Sequence, residues 1–292
     1  MKTLNEKLNK LSLPLPYIEL MLKLNKAAQK MTQFSKSELN SEAEKLGLKK
    51  TDGFFLLTAN KKLSKSLPKN AIHSNLLGLE ILPAKLWYDT SSEKYSFQKK
   101  EVNVCPKAGE CAKKNNCLVF SSPYSNAMKK RSLRKQIMFE APSLFMKMLY
   151  HDIDLAFKLF EKPAFRFNVF SDILWEHVLP TQVRKMLSGN IYDYTKIKGR
   201  GPLLPKNFNY VLTYSFNEKD KVEDIPKLVK EYKSVAVVFP KGERPQTFQG
   251  IEVLNGDEHD YRIHDNHVVV GLTAKAGLSY KANADSKMVI KL

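Results

Sequence analysis

Short apolar runs alternate with helical patterns through the second half of this chain, and that rhythm narrows the folds open to it more than any other feature. Residues 165–170, 191–194, 210–216, 235–239, 250–254 and 268–272 read as strands, with turn and helix over 172–187 and helix over 226–232. Alternation of this kind favours parallel pairing through right-handed crossovers. The run 235–239 is apolar without a break, as expected of a strand covered on both faces. The number of strands points to an α/β fold, a full or partial β/α barrel. No internal repeat and no Gly/Ser- or Pro-rich linker divides the chain.

The first half reads differently. Pro16 opens a helix whose apolar face is Tyr17, Ile18, Leu20, Met21, Leu24 and Ala28. Ser35 with Glu38 three residues on fits a capping box, and Gly47 is a natural stop. Residues 1–53 are therefore expected to form a helical N-terminal extension packed on an α/β domain over 54–292. Within that domain, 54–57, 76–82 and 86–88 are short apolar runs, and 89–94 looks like a hairpin turn leading to 95–97. Pro142 opens a further helix with Leu144, Phe145, Met148, Leu149, Ile153, Ala156, Phe157 and Phe160 at helical spacing. No apolar run approaches the roughly 18–20 residues that span a bilayer. Residues 1–11 also lack the apolar centre of a secretory signal. A soluble, cytoplasmic protein is expected, with no membrane partner.

All three cysteines, Cys105, Cys111 and Cys117, fall in one stretch with the pattern C-x5-C-x5-C. Three cannot all pair with one another, and their clustering differs from a disulfide framework. Thiolates are soft ligands that select zinc or iron–sulfur clusters. A structural zinc site wants a fourth ligand, and no histidine is near. Three thiolates holding a 4Fe–4S cluster leave one iron open to a small molecule, the arrangement radical enzymes use with S-adenosylmethionine. Pro106, Ala108 and Gly109 suit a short loop wrapped around such a cluster. The expectation is an iron–sulfur cluster in a radical-enzyme-like barrel, with zinc as the alternative and reduced structural cysteines as the plain one. The spacing is wider than the C-x3-C-x2-C of radical enzymes, and no Gly-Gly-Glu follows the next strand.

Functional residues of β/α barrels gather where strands end. Here those ends carry Arg166, Asn168, Ser171 and Asp172, then Asp193, Thr195 and Lys196, then Thr213 and Ser215. Charges inside buried strands are costly unless paired, so these residues form either a pocket or a structural Arg–Asp pair. A third polar group runs through 255–267, with Arg262, His264, Asp265 and His267. Asp257 and Asp260 are its preferred functional residues, and a solvated turn is the alternative.

The chain carries 48 Lys and Arg against 30 Asp and Glu, a net charge of +18, which attracts polyanions and nucleic acid above all. Lys129, Lys130, Arg131, Arg134 and Lys135 open a helix and are candidates to grip phosphates, with Phe120 and Tyr124 able to stack on bases. A solvated charged face is the alternative there. No Walker loop, G-x-G-x-x-G, H-E-x-x-H or G-x-S-x-G occurs, which argues against the common NTPases, dinucleotide enzymes, zincins and α/β-hydrolases.

Several motifs in series resemble one family. They are C-P-K-A-G-E-C-A with a later cysteine, R-F-N-V-F-S-D-I-L-W-E, Y-D-Y-T-K, N-Y-V-L-T-Y-S, V-A-V-V-F, N-G-D-E-H-D-Y-R-I and V-V-V-G-L-T-A-K. Over about residues 55–290 the chain is similar to the phage and plasmid "gene product eighty-eight" proteins. The resemblance implies a mobile-element origin and a barrel-like α/β fold with a cysteine loop, but no settled activity. It carries over Asn168, Asp172, Asp193, Lys196 and Asp257 as candidates. Lys114, Asn115 and Asn116 add length between the second and third cysteines relative to the family pattern.

Overall fold

In the computed structural model, residues 4–48, 50, 53–58, 67, 71–73, 75–83, 103–109, 125–274 and 289–291 are described. The N-terminal helices are α1 (Leu4–Asn9), α2 (Leu15–Ala28) and α3 (Lys36–Lys45). Pro16 sits in the first turn of α2, where its missing N–H costs nothing. The capping box forms at α3. Ser35 Oγ accepts from Glu38 N at 3.2 Å, and Glu38 Oε2 accepts from Ser35 N at 3.3 Å. Gly47, at φ 68°, ends that helix. Gly47 N and Leu48 N donate back to Glu44 and Ala43 in a Schellman motif.

Helices α4 (Ser125–Glu140) and α5 (Pro142–Leu159) follow, with α6 (Trp175–Val178), α7 (Thr181–Leu187) and α8 (Ile225–Tyr232) among the strands. The strands are β1 (Leu57–Thr58), β2 (Asn75–Leu79), β3 (Pro163–Arg166), β4 (Ile191–Thr195), β5 (Tyr210–Ser215), β6 (Ser234–Phe239), β7 (Thr247–Phe248), β8 (Ile251–Asn255) and β9 (Val268–Thr273). They form one sheet in the order β1-β2-β3-β4-β5-β6-β9-β8-β7. The run from β2 to β8 is parallel throughout, and short antiparallel strands flank it at both edges.

The sheet does not close, so a full barrel is not formed among the described residues. The reason lies at the C-terminal end. β8 is reached through a tight β7–β8 hairpin, and β9 then inserts between β6 and β8. The last strand among the described residues thus lies inside the sheet, not at an edge where it would meet β1. The expected 165–170 strand is also shorter, ending at Arg166. Beyond it, Asn168 Oδ1 gathers Ser171 Oγ, Ile173 N and Trp175 Nε1 into a turn, and a turn competes with ladder pairing. The expected hairpin over 86–97 lies outside the described residues.

Residues alternate between two faces of the sheet. One face is covered by helices: Phe165, Ile191, Tyr210, Leu212, Val235 and Val237 join the apolar residues of α2, α5 and α8 in the main core. Leu76, Ala164, Tyr192 and Val211 point the other way, against Tyr261 and Ile263 of the 256–267 loop. The N-terminal extension belongs to the helix-covered side. Leu8, Tyr17, Met21 and Leu24 are fully enclosed, and Tyr17 Oη donates to the Asp172 carbonyl at 2.6 Å.

Asp152 of α5 anchors the β1 segment. Its buried carboxylate accepts from Phe55 N, Leu56 N and Leu57 N at 3.0, 2.7 and 2.9 Å. Asp152→Ala leaves three enclosed N–H groups without an acceptor, so urea denaturation is expected to show a loss of about 3–5 kcal/mol.

Candidate functional site

The strand-end residues divide between the two faces. On the helix-covered face, Arg200 is the centre of a sealed ionic network. Its Nε and Nη2 hold Glu176 Oε1 and Oε2 at 2.9 and 2.7 Å in a forked pair, and its Nη1 donates to Asp172 Oδ1 at 2.8 Å. Asp172 Oδ2 also caps the end of β4 by accepting from Lys196 N at 2.8 Å. Asp193 accepts from Asn168 N and Tyr210 Oη, both at 2.6 Å. Asn168, Asp172 and Asp193 are therefore buried and engaged by one another, by Arg200, by Tyr210 and by backbone.

Burial dominates the titration here. It raises Asp172, with Arg200 pulling back. It pushes Asp193 up to about 7 against the downward pull of its Tyr210 and Asn168 hydrogen bonds. Burial would also raise Glu176, but Arg200 and His177 hold it below the usual carboxylate range.

The other face carries a second group. Arg166 Nη1 pairs with Asp260 Oδ2, and its guanidinium lies 4.7 Å from the centre of the Tyr194 ring. Tyr194 Oη accepts from Arg262 Nε at 2.9 Å, and Arg262 also pairs with Asp265 at 3.3 Å. At the same edge Lys196 Nζ donates to Ser215 Oγ at 3.1 Å. Asp257 is exposed further along, accepting from Thr273 N at 2.9 Å with Arg244 at 3.7 Å. Of the candidates, this face thus brings together Arg166 and Asp260, with Lys196 at the strand ends and Asp257 apart. Nearer the strand starts, His73 bridges Asn190 Oδ1 at 3.0 Å and Tyr261 Oη at 2.5 Å, and Tyr261 in turn reaches His264 at 3.2 Å.

Cys105 lies on a loop held by several hydrogen bonds. Asn103 Oδ1 accepts from Cys105 N at 2.8 Å and Ala108 N donates to Cys105 O at 3.0 Å. Asp172 N donates to Val104 O, and Cys105 Sγ donates to Phe170 O at 3.1 Å. The loop therefore sits against the segment that follows β3. Cys111 and Cys117 lie outside the described residues, as do Phe120 and Tyr124. Among the described residues no three His, Cys, Asp or Glu side chains group closely enough to hold a metal ion.

The basic start of α4 departs from expectation. Lys129 and Lys130 are exposed, but Arg131, Arg134 and Lys135 are buried, Lys135 completely. Arg131 pairs with Glu80 at 2.8 Å and lies 4.5 Å from the Phe170 ring centre, while Arg134 Nη1 donates to Glu80 O at 3.3 Å. Burial lowers Lys135 to about 8, with the neighbouring Cys105 acting the other way. These three cations face the cysteine loop and β2, a placement that takes them out of reach of an external phosphate backbone.

The residues that sequence reasoning missed are Arg200, Glu176, Tyr192, Tyr194 and Tyr210. Arg200 stands in a glycine-flanked loop where no periodicity marks it. Tyr192 and Tyr194 did carry a signal, because aromatics on either side of Asp193 fix which face each occupies.

The family model "Gene product 88" matches residues 54–291. The chain belongs to the Gene product 88 family. No curated protein and no solved structure matches it. The matched span starts after α3, so the family pattern covers the whole sheet and the cysteine loop but not the helices that carry Tyr17. Among the described residues no helix is long and apolar enough to cross a membrane.

Asp193 titrates near 4 in an unfolded chain and at about 7 when folded. Between those values the folded state binds more protons, so this group's contribution to stability falls as pH rises from about 4 to about 7. Asp193→Asn keeps the neutral form at every pH. Its stability relative to the parent protein is expected to improve by roughly 2–4 kcal/mol between pH 4 and pH 8, measured by denaturation at each pH. Arg200→Met strands Asp172 and Glu176 in the core and is expected to cost about 3–5 kcal/mol in the same assay.

Proposed function

We propose that this chain is an iron–sulfur protein of a phage or similar mobile element, working in the host cytoplasm. Its open parallel sheet would serve as a partial barrel of the radical-enzyme kind. The observation that carries the reading is the position of Cys105. Its loop lies in the connection from β2 to α4, after the first strand of the parallel run, and packs against residues 170–172 beyond the end of β3. All strands of that run point one way, so the cysteine loop shares an edge with the ends of β3, β4 and β5. A cluster there would lie beside polar strand ends that a substrate can reach.

The surroundings suit an anionic thiolate centre. Arg131, Arg134 and Lys135 bring buried positive charge to the side where Cys105 sits. Metal binding requires the thiolate, so Cys105 would give up its bond to Phe170 O and release a proton. Cys105, Cys111 and Cys117 would supply three thiolates to a 4Fe–4S cluster, and the remaining iron is the position S-adenosylmethionine would take. Arg166, Lys196, Asp257 and Asp260 are the substrate candidates left open by the helix-face network.

A second reading, a basic nucleic-acid-binding protein with zinc or no metal at the cysteines, draws on the net charge of +18. It relies on residues other than Arg131, Arg134 and Lys135, and it requires binding that weakens steeply with salt.

Protein purified without oxygen is expected to be brown, with broad visible absorption and with iron and acid-labile sulfide in similar amounts. Cys105→Ser can keep the bond to Phe170 O through its hydroxyl while removing a ligand, so it should fold and lose most of its iron. Colourless parent protein that takes up no iron on reconstitution would rule the cluster out, and stoichiometric zinc would favour the second reading.

A further inference from the structure

Among the described residues, three buried polar atoms on the loop-covered face make no hydrogen bond: Arg166 Nε, the Tyr192 hydroxyl and His259 Nδ1. Enclosed polar groups are almost always satisfied, and each one left alone costs stability. The first two lie side by side. Phe165 pairs with Ile191 across β3 and β4, which sets Arg166 beside Tyr192 one step on and on the same face. His259 directly precedes Asp260, the partner of Arg166. Neighbouring polar groups already have partners. Tyr194 accepts from Arg262, Arg262 also serves Asp265 and Gly256 O, and Tyr261 is shared by His73 and His264.

The chemistry of the spare atoms defines what fits. Arg166 Nε can only donate. Burial lifts the Tyr192 pKa well above its ordinary value, so that hydroxyl keeps its proton and donates as well. Burial works against the Arg166 charge, but Asp260 and the tyrosines outweigh it and raise its pKa, so the guanidinium stays charged. Two neighbouring donors with a permanent cation call for an oxygen acceptor, best an anionic one. Asp260 answers Arg166 and Asp265 answers Arg262, while Lys196 adds a further cation at the strand ends.

We propose that this face binds a small ligand through a carboxylate or phosphoryl oxygen, with Arg166 Nε and the Tyr192 hydroxyl as donors and His259 Nδ1 as a third contact. The 256–267 loop roofs the site, with the Tyr261 ring 6.2 Å from that of Tyr192. The site does not depend on what Cys105 holds, so a metal-free protein can still bind and a cluster-bearing one can still fail.

Isothermal titration calorimetry on the full chain tests this, with inorganic phosphate and succinate in separate arms at matched ionic strength. Saturable binding of either is expected, and the arm that binds tells phosphoryl from carboxylate. Tyr192→Phe removes a hydroxyl that has no partner, so the thermal midpoint without anion should hold or rise. Its affinity should fall about ten- to hundredfold. Arg166→Lys keeps a cation for Asp260 but loses the Nε donor, and should weaken binding about tenfold or more. The proposal is overturned if neither anion binds saturably, if both variants bind as tightly as the parent, or if Tyr192→Phe lowers the midpoint without anion.

Discussion

The pairing of Asp172 with the enclosed guanidinium of Arg200 is the joint on which the rest of the molecule depends. Asp172 uses nearly every polar atom it has. Its amide holds Val104 of the cysteine loop, its carbonyl takes the Tyr17 hydroxyl of α2, and its two carboxylate oxygens hold Arg200 and the backbone after β4. Arg200 closes the circle through Glu176 of α6. A buried ion pair is poor evidence for stability as such, because desolvation offsets much of its attraction. Its value here is geometric. Four separate parts of the chain meet at one residue, and removing either partner leaves a charge with nowhere to go.

The sheet separates two kinds of polar chemistry that look alike in one dimension. On the helix-covered side, acids, amides and one arginine satisfy each other and the backbone, and their shifted ionisation reflects enclosure. On the loop-covered side the arginines also have acidic partners, yet spare donors remain. Perturbed titration alone would have drawn attention to Asp193, although it is fully engaged by Asn168 and Tyr210. Around Arg200 the hydrogen-bonding capacity of the acids and amides is filled, whereas Arg166 Nε and the Tyr192 hydroxyl stay spare.

Much of this was legible in the sequence. The strand rhythm, the capping box at Ser35, the Gly47 stop and the apolar stripe of α5 all follow from local preference and period, and they appear with one change, the first strand of the rhythm ending early at Arg166. What the sequence left hidden depends on distant contacts. The insertion of β9 between β6 and β8 is decided by pairing, which local pattern does not encode. A run of basic residues usually faces water, and α4 departs from that rule because Glu80 and the cysteine loop lie against it. Its spacing held a clue, since Arg131, Arg134 and Lys135 share one helical face while Lys129 stands opposite it and Lys130 at its border. For the strand-end residues, sequence supplied the neighbourhood but not the side of the sheet, and the side decides whether a residue is scaffold or surface for a ligand.

The reach of Tyr17 into Asp172 has a bearing on what counts as the unit of inheritance in this protein. The shared family pattern begins at residue 54, yet the helices before it fill part of the same core and bond to the same joint. Kinship and folding therefore have different borders. A chain trimmed to the family pattern would present an oily flank once covered by Met21 and Leu24.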